Sequence, residues 1–234
     1  MLQTSFGPFI LLALLSGLPA FAQEPLRPDT RQELWTSIGV RGKVPVFLHP
    51  IVSDEVIRRL RFSGDLGYRS ADVFFAGRQI YVDLGARYKL KDWLNVGAEF
   101  RNAHRPDGTV RNRLGLMADL SHDVDRLSLG YRFTYQHNFL EWGQVREVFR
   151  NRFEAGYNIP KWKLDPAFSV EFFTWAGNKG LSYFGTRYKL GTEWSPGKGQ
   201  ALNLALIYDR QRDVAWPVYR LIYSVDYVIY LNKF

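Results

Sequence analysis

The 234-residue chain contains no cysteine, which excludes disulfides, thiolate metal sites and a cysteine nucleophile. Histidine is scarce at four residues, and no spacing of His, Asp and Glu forms a metal-ligand set. Nothing in the chain implies a cofactor. Beyond residue 22 no window holds the 18 or more apolar residues that a membrane-spanning helix needs. That excludes a helical membrane protein but not a barrel, whose inward half is polar. There is also no basic block, although the net charge is +8. Lys and Arg are dispersed at strand spacing, many opposite Asp or Glu. This pattern argues against nucleic acid and favours anionic lipid head groups or acidic solutes.

Aromatic residues are plentiful at 16% of the chain, mostly Tyr and Phe. They follow a period of two. From Arg78 to Arg101, Ile80, Val82, Leu84, Ala86, Tyr88 and Leu90 alternate with Tyr81, Asp83, Gly85, Arg87 and Lys89. The alternation resumes after Lys91-Asp92, with Leu94, Val96, Ala98 and Phe100 against Asn95, Gly97, Glu99 and Arg101. Side chains of a strand alternate faces, so this stretch predicts a hairpin of two-faced strands with a tight turn.

The N-terminus differs. Phe9 to Leu18 is a short apolar run followed by Ala20-Phe21-Ala22, which predicts a secretory signal at 1–22 cleaved after Ala22. Residues 23–32 read as a flexible lead-in, and 33–234 as one barrel domain. Within it Leu34 to Val40 alternates, 44–57 is a connection, and Leu60 to Tyr68 is a strong strand. Further alternating segments follow to the end, the last running from Val218 to Phe234. Eleven segments are visible. An even number with both ends in the periplasm predicts ten strands from Leu60 onward. Segment 34–43 is then a plug, an arm, or half of a twelve-strand solution.

Short connections (91–92, 122–125, 160–163, 195–200) alternate with longer ones (104–110, 138–147, 176–181, 213–217), the asymmetry of outer-membrane barrels. Trp93, Trp162, Trp175, Trp194 and Trp216 lie near segment ends, as interfacial aromatics do. The fold class expected is therefore all-β, a transmembrane antiparallel up-and-down barrel, rather than a soluble sandwich or lipocalin-like barrel. An arginine facing lipid at mid-membrane costs about 2–4 kcal/mol, so Arg61, Arg87, Arg101, Arg132 and Arg152 are placed inside.

The motifs Leu34-Trp35-Thr36, Leu66-Gly67-Tyr68-Arg69, Gly85-Ala86-Arg87-Tyr88-Lys89-Leu90 and Trp93-Leu94-Asn95-Val96-Gly97-Ala98 give the chain a family likeness. So do Arg132-Phe133-Thr134-Tyr135-Gln136, Phe149-Arg150-Asn151-Arg152-Phe153 and Arg187-Tyr188-Lys189-Leu190-Gly191. Over most of 33–234 it resembles a family of bacterial outer-membrane barrels that is known as a domain of unknown function. The resemblance implies a fold and a Gram-negative outer-membrane location, and it carries over no site. It implies lipid and lipopolysaccharide as surroundings and the barrel-assembly machinery as folding partner. The terminal Phe234 resembles the aromatic assembly signal of such clients.

Asp83, Arg87, Glu99, Arg101, Arg113, Asp119, Arg132, Arg150, Arg152, Glu154, Glu171, Arg187 and Glu193 fall on the inward set and mix signs. They predict either a charge-paired filling or a solute-selective, porin-like constriction, with Glu99, Glu154 and Glu171 as cross-barrel neighbours of Arg132. About eight strands leave an interior filled by side chains, whereas 16–18 open a channel; ten lie nearer the first. The expected protein is not an enzyme. The alternative is a hydrolase of lipid or peptide, with His104 and Asp107 as an acid/base pair on an external loop. Ser121 and His122 are strand neighbours facing opposite ways, so they make no pair. Gly191 to Lys198 departs from a phosphate loop in spacing and in Gly199.

Overall fold

A computed structural model describes residues 27–44, 53–72, 74–139, 147–177 and 180–231. The strands are β1 (Asp29–Lys43), β2 (Leu60–Ser70), β3 (Gly77–Lys91), β4 (Leu94–His104), β5 (Val110–Val124) and β6 (Leu127–Phe139). They continue as β7 (Glu147–Tyr157), β8 (Asp165–Gly177), β9 (Gly180–Trp194), β10 (Gln200–Gln211) and β11 (Val218–Tyr230). A six-residue helix, α1 (Asp54–Arg59), precedes β2 and begins in the connection expected at 44–57. The strands form one closed barrel. No helix among the described residues is long and apolar enough to cross a membrane.

The barrel has eleven strands, not ten or twelve. Segment 34–43 is neither plug nor arm: it is most of β1, which also takes in Asp29–Gln32 from the expected lead-in. β1 pairs antiparallel with β2 and parallel with β11, in register from Asp29↔Val218 to Arg41↔Tyr230. An odd number of strands with alternating direction can close only through one parallel pair. The same parity sends the first and last strands in one direction, so Asp29 and Tyr230 lie at opposite ends. Asp29 N–H donates to Pro217 O (3.1 Å) at one end, and Tyr230 N–H to Gly199 O (2.7 Å) at the other. The expectation of both ends on one side is thereby corrected.

We call these the loop end, with the β2–β3, β4–β5 and β10–β11 connections, and the turn end, with 92–93, 125–126, 158–164 and 195–199. Connection lengths are less regular than the sequence suggests. The β8–β9 connection, expected to be long, is two residues between the paired Gly177 and Gly180, whereas β7–β8 spans 158–164. The tight β5–β6 turn places Asp125 at φ 53°, a conformation that two-residue hairpin turns favour.

The faces follow the predicted alternation. Outward on successive strands stand Ile38, Leu66, Leu84, Phe100, Leu116, Phe133, Phe153, Phe168, Leu190, Leu206 and Tyr223, all exposed. Inward, Trp35, Ile207 and Ile222 form the small apolar core, and Glu33, Ser70, Asp83, Glu171 and Asp209 are buried polar groups. Charged inward and apolar outward is the reverse of a soluble barrel. Trp93, Trp162, Trp194 and Trp216 are exposed near strand ends or in connections. Trp175 departs from that set, because it stacks on Phe184 (5.2 Å between centroids), a residue of the inner wall. The expected signal peptide and Phe234 lie outside the described residues.

Candidate functional site: the charged interior

The period of two puts charges from neighbouring strands side by side on the inner wall, and the register decides which of them pair. Asp83 faces Arg101 directly, Asp119 faces Arg132, and Arg187 lies between Glu171 and Asp209. Each of these register pairs is an ion pair. Arg101 donates to Asp83 through two nitrogens, and Arg132 donates its Nε–H to Asp119. Arg87 reaches the second oxygen of Asp119 at 3.9 Å. Arg113 pairs diagonally with Glu99 (2.6 Å), and Arg152 with Glu154 (3.5 Å).

Across six neighbouring strands the signs alternate without a break. Glu33 of β1 contacts Arg220 of β11 (3.1 Å), which contacts Asp209 of β10 (3.7 Å). Asp209 contacts Arg187 of β9 (2.8 Å), which reaches Glu171 of β8 (3.7 Å), and Glu171 holds Arg150 of β7 (2.9 Å). Arg150 donates onward to Gln136 of β6 (3.3 Å). Ion pairs this enclosed are much less screened by salt than surface pairs.

Most of the predicted inward charges therefore meet, though not always as expected. Arg132 joins Asp119 rather than Glu99, Glu154 and Glu171, because cross-strand neighbours lie nearer than anything across the barrel. Glu193 forms no ion pair among the described residues; it lines the cavity at the turn end. Glu33, Arg78, Asp209 and Arg220 join the interior charges without standing in the predicted set, and Arg69, predicted opposite Leu66 and Tyr68, joins them too. Asp209 and Arg220 fall on the inward phase of β10 and β11, so the alternation alone could have found them. Glu33 sits at the boundary of the supposed lead-in, which hid it. It is 0% exposed and also accepts from Arg78 Nη1 (2.7 Å) and Trp35 Nε1 (2.8 Å).

On β2 a different chemistry takes over. Arg69 stacks on the rings of Trp35 (4.0 Å) and Tyr81 (5.0 Å), and Arg101 lies over the same Tyr81 (4.1 Å). The Tyr81 ring lies across Gly67, where any Cβ would overlap it, so a glycine is needed opposite.

Two cavities of about 420 Å³ each enter the interior, one bordered by the Arg69, Arg113, Arg150 and Arg187 region toward the loop end. The other opens at the turn end among Arg126, Glu154, Asp165, Lys189 and Glu193. They share no lining residue. The Arg152–Glu154 pair links the wall of one to the wall of the other.

His104 and Asp107 are not brought together. His104, on the outward phase of β4, bonds through Nε2 to Asn102 Oδ1 (2.6 Å). Asp107 accepts the backbone N–H of Thr109 (2.9 Å), which holds its carboxyl below the usual aspartate range. Each therefore has a local partner that does not involve the other.

Among solved structures, the chain is similar to one described as a bacterial polysaccharide outer membrane secretin, with 13% identity and a TM-score of 0.46. The match covers 70% of this chain and 62% of that one, so this chain spans less than two thirds of its length. No curated protein matches. A family described as "Protein of unknown function (DUF2490)" matches residues 32–216, and the chain belongs to that family.

Proposed function

We propose that this is a non-enzymatic outer-membrane barrel, exported by the 1–22 signal and closed to free diffusion by its own interior ion pairs. The carrying observation is the pairing of the two faces: exposed Leu, Phe, Ile and Tyr on the outer wall, and an alternating-sign belt on the inner wall. In water such an outer wall is a large apolar patch without a partner. In lipid it is the favourable face, and closure leaves no strand edge with unpaired backbone groups. Eleven strands lie near the size at which side chains fill a barrel. The Arg152–Glu154 pair between the two cavities and the belt of ion pairs beside it favour the structural reading over the porin-like one.

Lipid and lipopolysaccharide are the proposed surroundings, and the barrel-assembly machinery the proposed folding partner, with Phe234 as its signal. The seam that machinery would zip last is β1 on β11. Planar-bilayer recording of the refolded protein tests the closed interior. The expected trace has no discrete conductance steps; large, stable, ion-selective steps would make it a porin instead.

The rim hydrolase is the second reading, and the separate bonding of His104 and Asp107 weighs against it. Hydrolysis of lipid or peptide substrates that is abolished by His104→Ala with Asp107→Ala would restore it.

A further inference from the structure

We propose that the loop-end cavity is a binding site for a small solute carrying an oxyanion group, phosphoryl or carboxylate, with Arg69 as its anchor. The inference deepens the reading of the charged interior, but it does not depend on whether the barrel conducts. One arginine of the lining lacks a counter-charge among the described residues. The cavity is lined by eight arginines against three carboxylates, Glu99, Glu171 and Asp209. Four inward carboxylates outside the lining, Asp83, Glu33, Asp119 and Glu154, pair with Arg101, Arg220, Arg132 and Arg152. Arg69 has no such partner among the described residues. Its contacts are the faces of Trp35 and Tyr81, and it lies in the repulsive field of Arg101, Arg113 and Arg187.

The directions of the donors agree. Arg69 Nε, Arg101 Nη1 and Arg187 Nε are buried and find no acceptor among the described protein groups. All three residues line the same cavity. A guanidinium fork matches the two oxygens of a carboxylate or phosphoryl group, and a buried charge without a partner is costly. An anion seated among these three arginines would supply the acceptors that the protein does not. A cavity of about 420 Å³ suits a small molecule rather than a polymer.

The flat rings stabilise the cations of the site. Trp35 carries Arg69 at 4.0 Å and Arg187 at 5.2 Å, so one aromatic face partly stabilises two cations. A carboxylate there would neutralise the site; an aromatic leaves the positive charge available.

The test is isothermal titration calorimetry on the full refolded chain in non-ionic detergent, with pyrophosphate and citrate as probes and sodium chloride at matched ionic strength as control. We expect saturable binding of at least one probe, and pyrophosphate against citrate tells phosphoryl from carboxylate preference. Arg69→Gln should weaken binding at least about tenfold, since it removes a buried partner of the bound charge. The same substitution should leave the ligand-free melting temperature unchanged or higher, because it relieves repulsion and breaks no ion pair. Arg69→Lys should bind with intermediate affinity. If neither probe binds wild-type protein beyond the chloride control, the site does not exist. If Arg69→Gln binds as wild type does, Arg69 is not its anchor.

Discussion

Glu33 and Arg220 meet across the single parallel seam of the barrel, 3.1 Å apart, with the Glu33 side chain wholly buried. The seam and the ion pair explain each other. Parallel closure brings the start of β1 beside the start of β11, so a carboxylate four residues into one strand reaches a guanidinium two residues into the other. Arg78 adds a second cation at 2.7 Å and Trp35 a neutral donor at 2.8 Å.

Removing Glu33 should therefore be expensive. Glu33→Leu leaves Arg220 and Arg78 facing each other without their shared counter-charge, and losing one member of a buried pair costs about 3–5 kcal/mol. Urea unfolding in lipid vesicles measures this. The double variant with Arg220→Leu should recover part of the loss, and a coupling near zero would show that the pair adds nothing.

The two faces give a second, opposed pair of substitutions. Arg132→Leu strands Asp119, although Arg87 remains 3.9 Å away, so a cost of about 1–3 kcal/mol is expected in detergent and lipid alike. Leu84→Arg, at an exposed outward position, should cost about 2–4 kcal/mol in a bilayer and much less in detergent. Equal effects in the two media would mean that the outer wall does not face lipid.

Much of this was legible in advance because a strand exposes its alternation directly. Ile80, Val82 and Leu84 against Tyr81, Asp83 and Arg87 carry the face assignment without any knowledge of partners. Strand count was not legible. It depends on whether Leu34 to Val40 pairs with β11, a contact about 190 residues away in sequence that no local pattern encodes. Pairing partners were half legible: Arg132 belongs on the inner wall by phase, but its attachment to Asp119 is set by the β5–β6 register. Trp175 was misplaced because nearness to a strand end says nothing about which face a ring occupies. It shares the inward phase of Glu171 and Phe173, and its ring stacks on Phe184.

The Asp107 turn carries a pH prediction. Its carboxyl titrates below the usual aspartate range because it accepts the Thr109 N–H and is ionised while doing so. A depressed folded-state value stabilises the folded turn above the ordinary aspartate range, and that contribution fades as pH falls through the lowered value. Hydrogen exchange of the Thr109 amide, corrected for intrinsic rate, should thus lose protection only in strong acid. Asp107→Asn should abolish that pH dependence. Loss of protection near neutral pH would mean that the turn is held by something else.

β1 on β11 closes an eleven-strand barrel, and the outer membrane is its proposed location. The most direct test exploits the absence of cysteine. Val40 and Ile229 are register partners across the seam, so Val40→Cys with Ile229→Cys places two unique thiols side by side. Outer membranes from cells expressing this variant are treated with a short bifunctional thiol reagent, and the chain is analysed for an internal cross-link. Linked chain is expected in the outer-membrane fraction, released only by detergent. Membrane-bound chain that fails to link would contradict the parallel closure, and soluble chain recovered without detergent would contradict the membrane barrel itself.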